Sequence, residues 1–387
     1  MRICVIAQDP ELGGGEYRKL QAFLRYAARR GHCCDVYHPA EGSSRRASGK
    51  LRREPGLGQI HAIPISGTSP HHWRAASFGR RCRISGSYDA HQLISGSMDL
   101  ALPLVRRGLP FVAWVAGTYS AETGARPRTR LRHYYLYNRV FDRRTLRQEI
   151  ACARAASRVL AVSRYSEANI VRDLALPPTK VDVVRPPVDT ERFTPAASAS
   201  RSRPYLLSVA RLDRGKGFPV LLEAFRRVAA EADGLELRIA GAGPVREMLE
   251  RMARSFGLER RVRFLGHVEG AALIRLYQGA ELFTLASRQE ALGIVYLEAM
   301  ACGLPVVATD AGGTGEVVRE GETGFLVPRD DPASLADRLL AVLSDSGLRS
   351  RLGVRGRRAA VASFGYEAAF HAFDATYDEI FGTARPV

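Results

Sequence analysis

The chain has 387 residues, of which 46% are hydrophobic and 25% are charged. This composition is typical of a globular protein of about two domains, and it excludes a wholly disordered chain, a collagen-like chain and a small disulfide scaffold. The sequence contains no apolar run of about 18 residues that would span a membrane, and its first apolar segment is too short for a signal peptide. Because the six cysteines lack CxxC spacing, we expect reduced thiols and a cytoplasmic protein.

The formal net charge of +17 is concentrated in the first half of the chain. Residues 1–200 carry 32 basic and 16 acidic side chains, whereas residues 201–387 carry 25 and 24. Arginine-rich codon usage is one explanation, but the asymmetry also predicts an anionic partner for the first half: nucleic acid, an acidic membrane surface or an anionic substrate. Two segments, 41–58 and 123–132, concentrate arginines in what we expect to be exposed loops.

Short β-branched runs alternate with amphipathic helical patterns along the chain. In the first half, the patterns predict strands at 3–7, 35–37, 111–115 and 159–162 and helices at 16–30 and 129–156. In the second half, they predict strands at 205–209, 236–240, 262–265, 282–285 and 306–309 and helices at 219–231, 245–256, 294–301 and 366–381. This alternation indicates an α/β protein with parallel sheets.

A segment rich in proline, alanine and serine at 186–203 predicts a domain boundary. We expect two doubly wound, Rossmann-like domains, at 1–195 and 196–365. The last helix, within 366–387, carries several aromatic residues and is expected to pack back on the first domain.

A glycine-rich turn with Gly13, Gly14 and Glu16 follows the first predicted strand and opens the first helix. Glycines allow a ligand to approach the backbone closely, and the N–H groups at the positive end of a helix suit a phosphate or a sugar hydroxyl. An ordinary strand-to-helix turn explains the pattern equally well.

Two cations, Arg211 and Lys216, follow the strand predicted at 205–209. Open α/β sheets bind ligands at the carboxyl ends of their strands. A planar guanidinium and a point-charge ammonium could converge there on a diphosphate. A solvated charged loop is the alternative.

The most informative pattern is a pair of carboxylates, Glu290 and Glu298, on either side of Gly293. If a helix begins at Gly293, then Glu290 lies in the preceding loop and Glu298 lies inside the helix. The N–H groups of Gly293, Ile294 and Val295 would then point into the same space. This arrangement predicts a site that holds a sugar by a carboxylate and a phosphate by backbone donors.

Other catalytic patterns are missing from the sequence. It has no DxD pair for a divalent metal, no Walker loop and no zinc-ligand spacing, and neither Ser163 nor Cys302 has an evident His and Asp companion. A second glycine-rich turn, at 310–316, is expected at the same sheet edge as Glu290. The predicted site is therefore built from cations, carboxylates and backbone, with no metal.

These residues together resemble the retaining, nucleotide-sugar-dependent glycosyltransferases of family four, which have the GT-B fold. The resemblance runs almost continuously from 205 to 325, through the RxxxxK element, the E-x7-E pair, the segment EAMACGLPVVAT and the segment GGTGE. It extends more weakly to the first glycine-rich turn and to VRPPVDTERF at 184–193.

The resemblance implies an enzyme with two Rossmann-like domains that face a central cleft. The second domain would bind a nucleoside diphosphate sugar, and the first would bind most of a hydroxyl acceptor. Arg211 and Lys216 would neutralise the leaving diphosphate in place of a metal. Glu290 would contact the transferred sugar, and Glu298 would bind the ribose hydroxyls.

The resemblance also implies roles for the remaining candidates. Backbone amides at Gly293, Ile294 and Val295 would touch the sugar and the phosphate, and His267 would lie near the nucleobase. Gly13 and Gly14 would close over the donor phosphate. The acceptor-side candidates are Glu16 and Thr118, and the arginines of 45–53 and 126–132 would meet anionic lipid headgroups or a phosphorylated acceptor.

One position departs from the family pattern. The strand at 111–115 continues as Ala116-Gly117, where the family usually has His-Gly, with the His near the C6 hydroxyl of the donor sugar. We therefore assign no catalytic histidine. Either the donor sugar is unusual at C6, such as a pentose or a deoxysugar, or Thr118 or a neighbour takes over the role.

Two competing functions follow from the same observations. The net charge suggests a nucleic-acid-binding protein, but the second half is nearly neutral and the arginine-rich loops carry few aromatic residues. Ala116 suggests a catalytically weak or inactive homologue that binds nucleotide sugar without transfer. For the enzyme, three acceptor classes stay open: a glycan, a lipid-linked molecule or a small molecule. The pathway also stays open between polysaccharide and natural-product biosynthesis.

Overall fold

The computed structural model describes residues 1–8, 14–41, 51, 54–65, 77–118, 132–196 and 203–382. The chain forms two compact units, Met1–Pro186 with Tyr366–Val387, and Pro187–Gly365. The division lies before the expected position at 195 because 187–195 is hydrogen-bonded to the second unit. Within that unit, the N–H of Val188 donates to the carbonyl of Phe364 (2.8 Å).

The strands of both units are parallel to their neighbours. In chain order they are β1 (Arg2–Ala7), β2 (Cys33–Glu41), β3 (Leu57–Ile65), β4 (Ala90–Ser95), β5 (Val112–Val115), β6 (Arg158–Ala161), β7 (Val181–Val183), β8 (Tyr205–Val209), β9 (Glu236–Ala240), β10 (Val262–Gly266), β11 (Leu282–Leu285), β12 (Val306–Thr309) and β13 (Gly324–Val327).

The helices alternate with these strands. They are α1 (Gly14–Arg29), α2 (Leu102–Arg106), α3 (Arg132–Ala155), α4 (Arg164–Leu174), α5 (Phe218–Glu231), α6 (Arg246–Ser255), α7 (Gly270–Gln278), α8 (Ile294–Ala301), α9 (Pro332–Ser344), α10 (Ser346–Phe364) and α11 (Tyr366–Phe381). No helix in the described part of the chain is both long and apolar enough to cross a bilayer.

Each unit has the strand order of a doubly wound fold. The first sheet runs β3-β2-β1-β4-β5-β6-β7 and the second runs β10-β9-β8-β11-β12-β13. The order reverses beside β1 and beside β8, and such reversals leave a crevice at the carboxyl ends of the strands where ligands bind. The predicted fold class, two Rossmann-like α/β domains, is confirmed.

The terminal helix α11 belongs to the first unit, where its aromatic residues pack on α1 and on the sheet. The Phe373 ring lies 5.5 Å from that of Phe23, 5.0 Å from that of Tyr26 and 4.9 Å from that of Trp114, measured between centroids. All four side chains are buried. Each such aromatic pair stabilises the fold by about 0.5–1.5 kcal/mol beyond the burial of its surface.

The sequence patterns did not predict strands β3, β4, β7 and β13 or helices α2, α4, α7, α9 and α10. Strand β4 was missed because two polar residues interrupt its apolar pattern. Both are satisfied inside the protein: His91 Nδ1 lies 3.0 Å from the carbonyl of Pro110, and Gln92 accepts a hydrogen bond from the hydroxyl of Tyr377 (2.9 Å). The local pattern of this segment was ambiguous. It forms a buried strand because its polar side chains find hydrogen-bond partners elsewhere in the fold.

Candidate active site

Three loops meet at the carboxyl edge of the second sheet, after the adjacent strands β8, β11 and β12. The N–H of Arg288 donates to the carbonyl of Gly215 (2.8 Å), and the N–H of Gly313 donates to the carbonyl of Glu290 (2.8 Å). The hydroxyl of Thr309 donates to the carbonyl of Ser287 (2.5 Å). The loop after β11 is thus fixed on both sides, which positions Glu290 between the other two loops.

Glycines permit this close approach of backbones. Gly217 has φ +63°, and a Cβ there would lie 1.7 Å from the carbonyl oxygen of Ala286. A Cβ at Gly313 would lie 2.2 Å from the carbonyl oxygen of Ala291. Any larger residue would force the loops apart.

The carboxylate of Glu290 is held by two donors. Its Oε1 accepts from the ammonium of Lys216 (2.7 Å) and from the hydroxyl of Ser287 (2.7 Å). The Glu290 side chain is 9% exposed and that of Lys216 is 25% exposed, so the pair lies at the surface of the unit without being fully hydrated. An oriented carboxylate can still accept further hydrogen bonds from a ligand, because it offers about four lone-pair positions.

Lys216 ends a short turn, Arg214–Lys216, that a carboxylate stabilises. The side chain of Asp213 accepts from the N–H of Gly215 (2.9 Å). The same carboxylate accepts from the guanidinium of Arg211 (2.9 Å), whose side chain is 69% exposed. Lys216 and Arg211 thus share one loop, but in this structure they contact different acids.

Helix α8 begins beside Glu290, as the sequence predicted. Gly293 has φ +91°, and a Cβ there would lie 2.3 Å from the ring of Tyr296. Ile294 and Val295 are half-buried in the first turn, where N–H groups have no intrahelical acceptor. The Tyr296 hydroxyl is buried, and desolvation, followed by the charge of Glu290, raises its pKa well above the ordinary value.

Glu298 lies inside α8 and is 3% exposed. Its Oε2 accepts from the hydroxyl of Tyr277 on α7 (2.9 Å). The structure therefore brings Lys216 and Glu290 into direct contact but gives Glu298 a separate partner. His267, on the loop between β10 and α7, is exposed, and its Nε2 lies 3.2 Å from Glu269 Oε2.

The first unit also presents predicted residues at the carboxyl edge of its sheet. Gly14 has φ +69°, with open space where a Cβ would lie, and Gly13 lies outside the described residues. Glu16 forms an ion pair with Lys19 (2.8 Å). The ammonium of Lys19 is buried and donates to the carbonyls of Ser95 (2.8 Å) and Trp114 (3.3 Å), at the ends of β4 and β5.

Thr118 is fully buried after β5, and its hydroxyl donates to Asp173 Oδ2 on α4 (2.7 Å). Ala116 stands where the family pattern has histidine. Its carbonyl accepts a hydrogen bond from the hydroxyl of Ser166 (2.6 Å). Both residues thus tie the end of β5 to α4. Most of the two arginine-rich loops, at 42–50, 52–53 and 119–131, lies outside the described residues.

Sequence reasoning assigned no role to Ser287, Tyr277 or Lys19. Ser287 stands three residues before Glu290, a spacing that allows a hydroxyl to reach a carboxylate in a tight turn, and this signal was available. Tyr277 and Lys19 act across the fold, so no local pattern marks them. Within the described residues, no group of three or more His, Cys, Asp and Glu is arranged to hold a metal ion.

Two family profiles match the chain. "Glycosyl transferases group 1" matches residues 189–359, and "Glycosyltransferase Family 4" matches residues 13–192. The two matches meet near the boundary between the units and together include every predicted site residue.

Curated relatives match about half of the chain. The D-inositol 3-phosphate glycosyltransferase of Salinispora arenicola is 37% identical over 228 residues, which cover 52% of this chain and 50% of that protein. The GDP-mannose-dependent alpha-(1-6)-phosphatidylinositol monomannoside mannosyltransferase of Mycolicibacterium smegmatis is 33% identical over 215 residues, which cover 51% and 56%. The chain spans about half the length of the curated relatives it matches.

Solved structures share the whole fold at low sequence identity. Sucrose-phosphate synthase from Thermosynechococcus elongatus superposes with a TM-score of 0.82 at 20% identity, over 99% of this chain and 100% of that one. The Anabaena protein HepE in complex with UDP-glucose gives a TM-score of 0.78 at 20% identity, over 98% and 100%. These likenesses show the architecture of each unit.

Proposed function

Because the chain belongs to the GT-B glycosyltransferases of group 1, family four, we propose that it transfers a sugar from a nucleoside diphosphate to a hydroxyl group of an acceptor. We propose that the anomeric configuration is retained and that no metal ion is required. The hexosyl or pentosyl donor binds to the second unit, and the acceptor binds mainly to the first.

The observation that carries the proposal is the contact of Lys216 with Glu290 at the carboxyl edge of the second sheet (2.7 Å). A diphosphate leaving group needs positive charge where its own charge develops, and a sugar needs acceptors for its hydroxyls. The ammonium and the carboxylate supply both within one hydrogen-bonded pair. Arg211, on the same loop, adds a second cation when its exposed guanidinium turns from Asp213 towards the phosphates.

Backbone groups complete the donor site in this proposal. The first N–H groups of α8, at Gly293, Ile294 and Val295, face anionic oxygen because a helix N-terminus carries partial positive charge. Glu298 binds the ribose, and His267 lies on the loop nearest the base.

Retention follows from transfer on one face of the sugar. The bond from the anomeric carbon to the diphosphate oxygen breaks, and the bond from that carbon to the acceptor oxygen forms on the same side. The acceptor's hydroxyl proton passes to the departing phosphate oxygen. Lys216 and Arg211 stabilise the charge that appears on the diphosphate, a task that a metal performs in other transferases.

The acceptor in this proposal carries a free hydroxyl and binds mainly to the first unit. Support comes from the carboxyl ends of β4 and β5, where the Glu16–Lys19 pair places a carboxylate beside the glycine-rich turn. Two curated relatives are named for inositol-containing acceptors, which makes a polyol or a lipid-linked polyol the first class to test.

A nucleotide-sugar screen by thermal shift, followed by an assay of transfer, tests the proposal. A ligand at 100 times its Kd stabilises the protein by about 2.7 kcal/mol, so the cognate donor shifts the midpoint clearly. The comparison of UDP-glucose with UDP-xylose tests the C6 substituent, the feature that Ala116 bears on, and GDP-mannose tests a second base. Turnover with an α-linked product from an α-linked donor supports retention, and loss of activity in a chelator contradicts metal independence.

The alanine at position 116 favours a second candidate function, a homologue that binds nucleotide sugar but does not transfer it. A homologue that binds nucleotide sugar without transfer would show the thermal shift but neither hydrolysis nor transfer. Measurement of donor hydrolysis beside the thermal shift separates the two readings.

A further inference from the structure

Helix α10 (Ser346–Phe364) of the second unit is basic, and no acidic residue within the helix offsets its positive charge. It contains five arginines. At about 100° per residue, its exposed Arg351, Val354, Arg355, Arg358 and Val361 fall within one stripe about 120° wide. The stripe is about 15 Å long, and its arginines and valines occupy adjoining sides.

The two other arginines of α10 face inwards and serve the fold. Arg357 donates to the carbonyls of Phe193 (2.7 Å), Ala301 (2.8 Å) and Thr190 (2.9 Å). Arg349 donates to the carbonyl of Val342 at the end of α9 (3.3 Å). The helix therefore separates structural arginines from exposed ones.

The exposed arginines have little to neutralise them. The guanidinium of Arg351 lies 3.9 Å from Asp345, the residue that caps the helix. Arg355 and Arg358 form no ion pair with any residue that the structure describes. Three adjacent positive charges on one rigid face produce a local potential that attracts anions.

The exposed valines give the stripe an apolar component. Val354 is 51% exposed and Val361 is 47% exposed, which makes them the most exposed large hydrophobic side chains in the described part of the chain. Single exposed hydrophobic residues are common, but here both lie beside the uncompensated arginines.

The helix is held too firmly for the stripe to rearrange. A Cβ at Gly353 would lie 2.1 Å from the carbonyl oxygen of Gly303, so α10 packs against the backbone that follows α8. Together with the Arg357 contacts, this close packing makes the face preformed, and docking orders only surface side chains.

We propose that this face of α10 docks on a bilayer that contains anionic phospholipids. The three guanidiniums bind headgroup phosphates, and the two valines enter the boundary with the acyl chains. Nucleic acid suits the face less well, because it offers no apolar layer to the valines and the stripe has no aromatic side chain for stacking on bases. The proposal does not depend on the sugar-transfer reaction.

Co-sedimentation of the full chain with vesicles tests the proposal. We expect binding to vesicles of phosphatidylcholine with phosphatidylglycerol, little binding to phosphatidylcholine alone, and weakening by salt. The double substitution R355E/R358E should lower the partition coefficient at least tenfold, and V354S/V361S should lower it several-fold. The control R251E/R254E makes the same charge change on exposed residues of α6 and should alter it less than twofold.

Each contrary result overturns the proposal. The proposal is wrong if the wild type fails to bind anionic vesicles, or if R251E/R254E weakens binding as much as R355E/R358E. Binding to duplex DNA that is tighter than binding to vesicles, and unaffected by V354S/V361S, assigns the face to nucleic acid instead. Because all the substituted side chains are exposed, unchanged thermal midpoints are expected and confirm that the variants fold.

Discussion

At the scale of single residues, the proposed donor site depends on the ion pair between Glu290 and Lys216. The two groups are hydrogen-bonded to each other, and Ser287 donates to the same carboxylate oxygen. A diphosphate bound in the proposed site would compete with Glu290 for the ammonium. We therefore expect the pair to set the balance between phosphate binding and sugar binding.

The substitution Glu290→Gln separates these two tasks. Without the carboxylate charge, Lys216 has no anionic partner in its own unit among the described contacts, so binding of UDP or GDP should be equal to or tighter than in the wild type. The rate of transfer should fall by about 10²-fold or more, because the sugar loses an oriented acceptor. Calorimetry of the nucleotide and steady-state kinetics of the nucleotide sugar measure the two effects.

Ser287→Ala is the matched test of orientation. It keeps the charge of Glu290 but removes one of its two donors, so transfer should fall less than in Glu290→Gln while nucleotide binding stays unchanged. If Glu290→Gln weakens binding of the nucleotide and of the nucleotide sugar equally, Glu290 does not act on the sugar.

Asp35, at the start of β2, predicts a pH dependence of stability. Burial alone would raise the pKa of Asp35, but hydrogen bonds from the Gln59 N–H, Arg2 and Tyr88 hold it below the ordinary value. A depressed pKa in the folded state stabilises the protein above the unfolded pKa of about 3.9, and this contribution is lost as the pH falls through the folded value.

The substitution Asp35→Asn should therefore lower the thermal midpoint at pH 7, with a loss of about 2 kcal/mol, and should cost progressively less below pH 4. Asp233→Asn, which changes a fully exposed side chain, should have little effect at either pH. A penalty for Asp35→Asn that is equal at pH 7 and at pH 3 would show that the charge of Asp35 does not contribute.

At the scale of elements, packing at the start of α8 fixes the turn that carries the candidate site residue Glu290. Gly293 has both a positive φ and no room for a Cβ beside Tyr296. A larger residue there must move either the ring or the loop that carries Glu290. The geometry of the helix N-terminus is thus tied to the buried side of the same turn.

The substitution Gly293→Ala should lower stability by about 1–3 kcal/mol and weaken nucleotide binding at least tenfold. The control Gly257→Ala has a similar φ of +69° but open space at the Cβ. Thermal unfolding and nucleotide titration of both variants separate backbone strain from the clash. Equal effects of the two substitutions on nucleotide binding would contradict a specific role of the α8 turn.

The same elements show why some of the fold could be predicted from sequence. Strands β8, β9, β11 and β12 and helices α8 and α11 have the predicted bounds. The apolar runs of the strands carry a clear local signal, and glycines flank both helices. Strand β4 and helix α10 were missed. His91 and Gln92 break the pattern of the first, and an exposed arginine-rich face with glycines obscures the period of the second.

At the scale of the whole molecule, the net charge of each half of the chain does not reveal the exposed arginines of α10. The second half of the sequence is nearly neutral, so the sequence placed the anionic partner on the first half. In the structure, α10 exposes three arginines, and no described acid forms an ion pair with Arg355 or Arg358. Charge counts per domain do not predict patches, because helices sort residues by face.

The positions of several candidate residues in the fold were predictable. Lys216, Glu290 and Gly293 were expected at a strand end or a helix start because each residue type has a chemical reason to occupy such a position. The partners of Glu298 and Thr118, which are Tyr277 and Asp173, were not predictable, since they come from other helices. The sequence shows which groups are present, and the fold decides which of them meet.

The central claim is that the carboxyl edge of the second sheet binds a nucleoside diphosphate through Lys216. Calorimetric titration of the wild type, Lys216→Met and Arg214→Ala with UDP and with GDP tests it most directly. We predict that the wild type and Arg214→Ala, which changes an exposed cation of the same loop, bind one of the two nucleotides with similar affinity, and that Lys216→Met binds it at least tenfold more weakly. Equal binding by Lys216→Met, or no binding of either nucleotide by the wild type, would contradict the account.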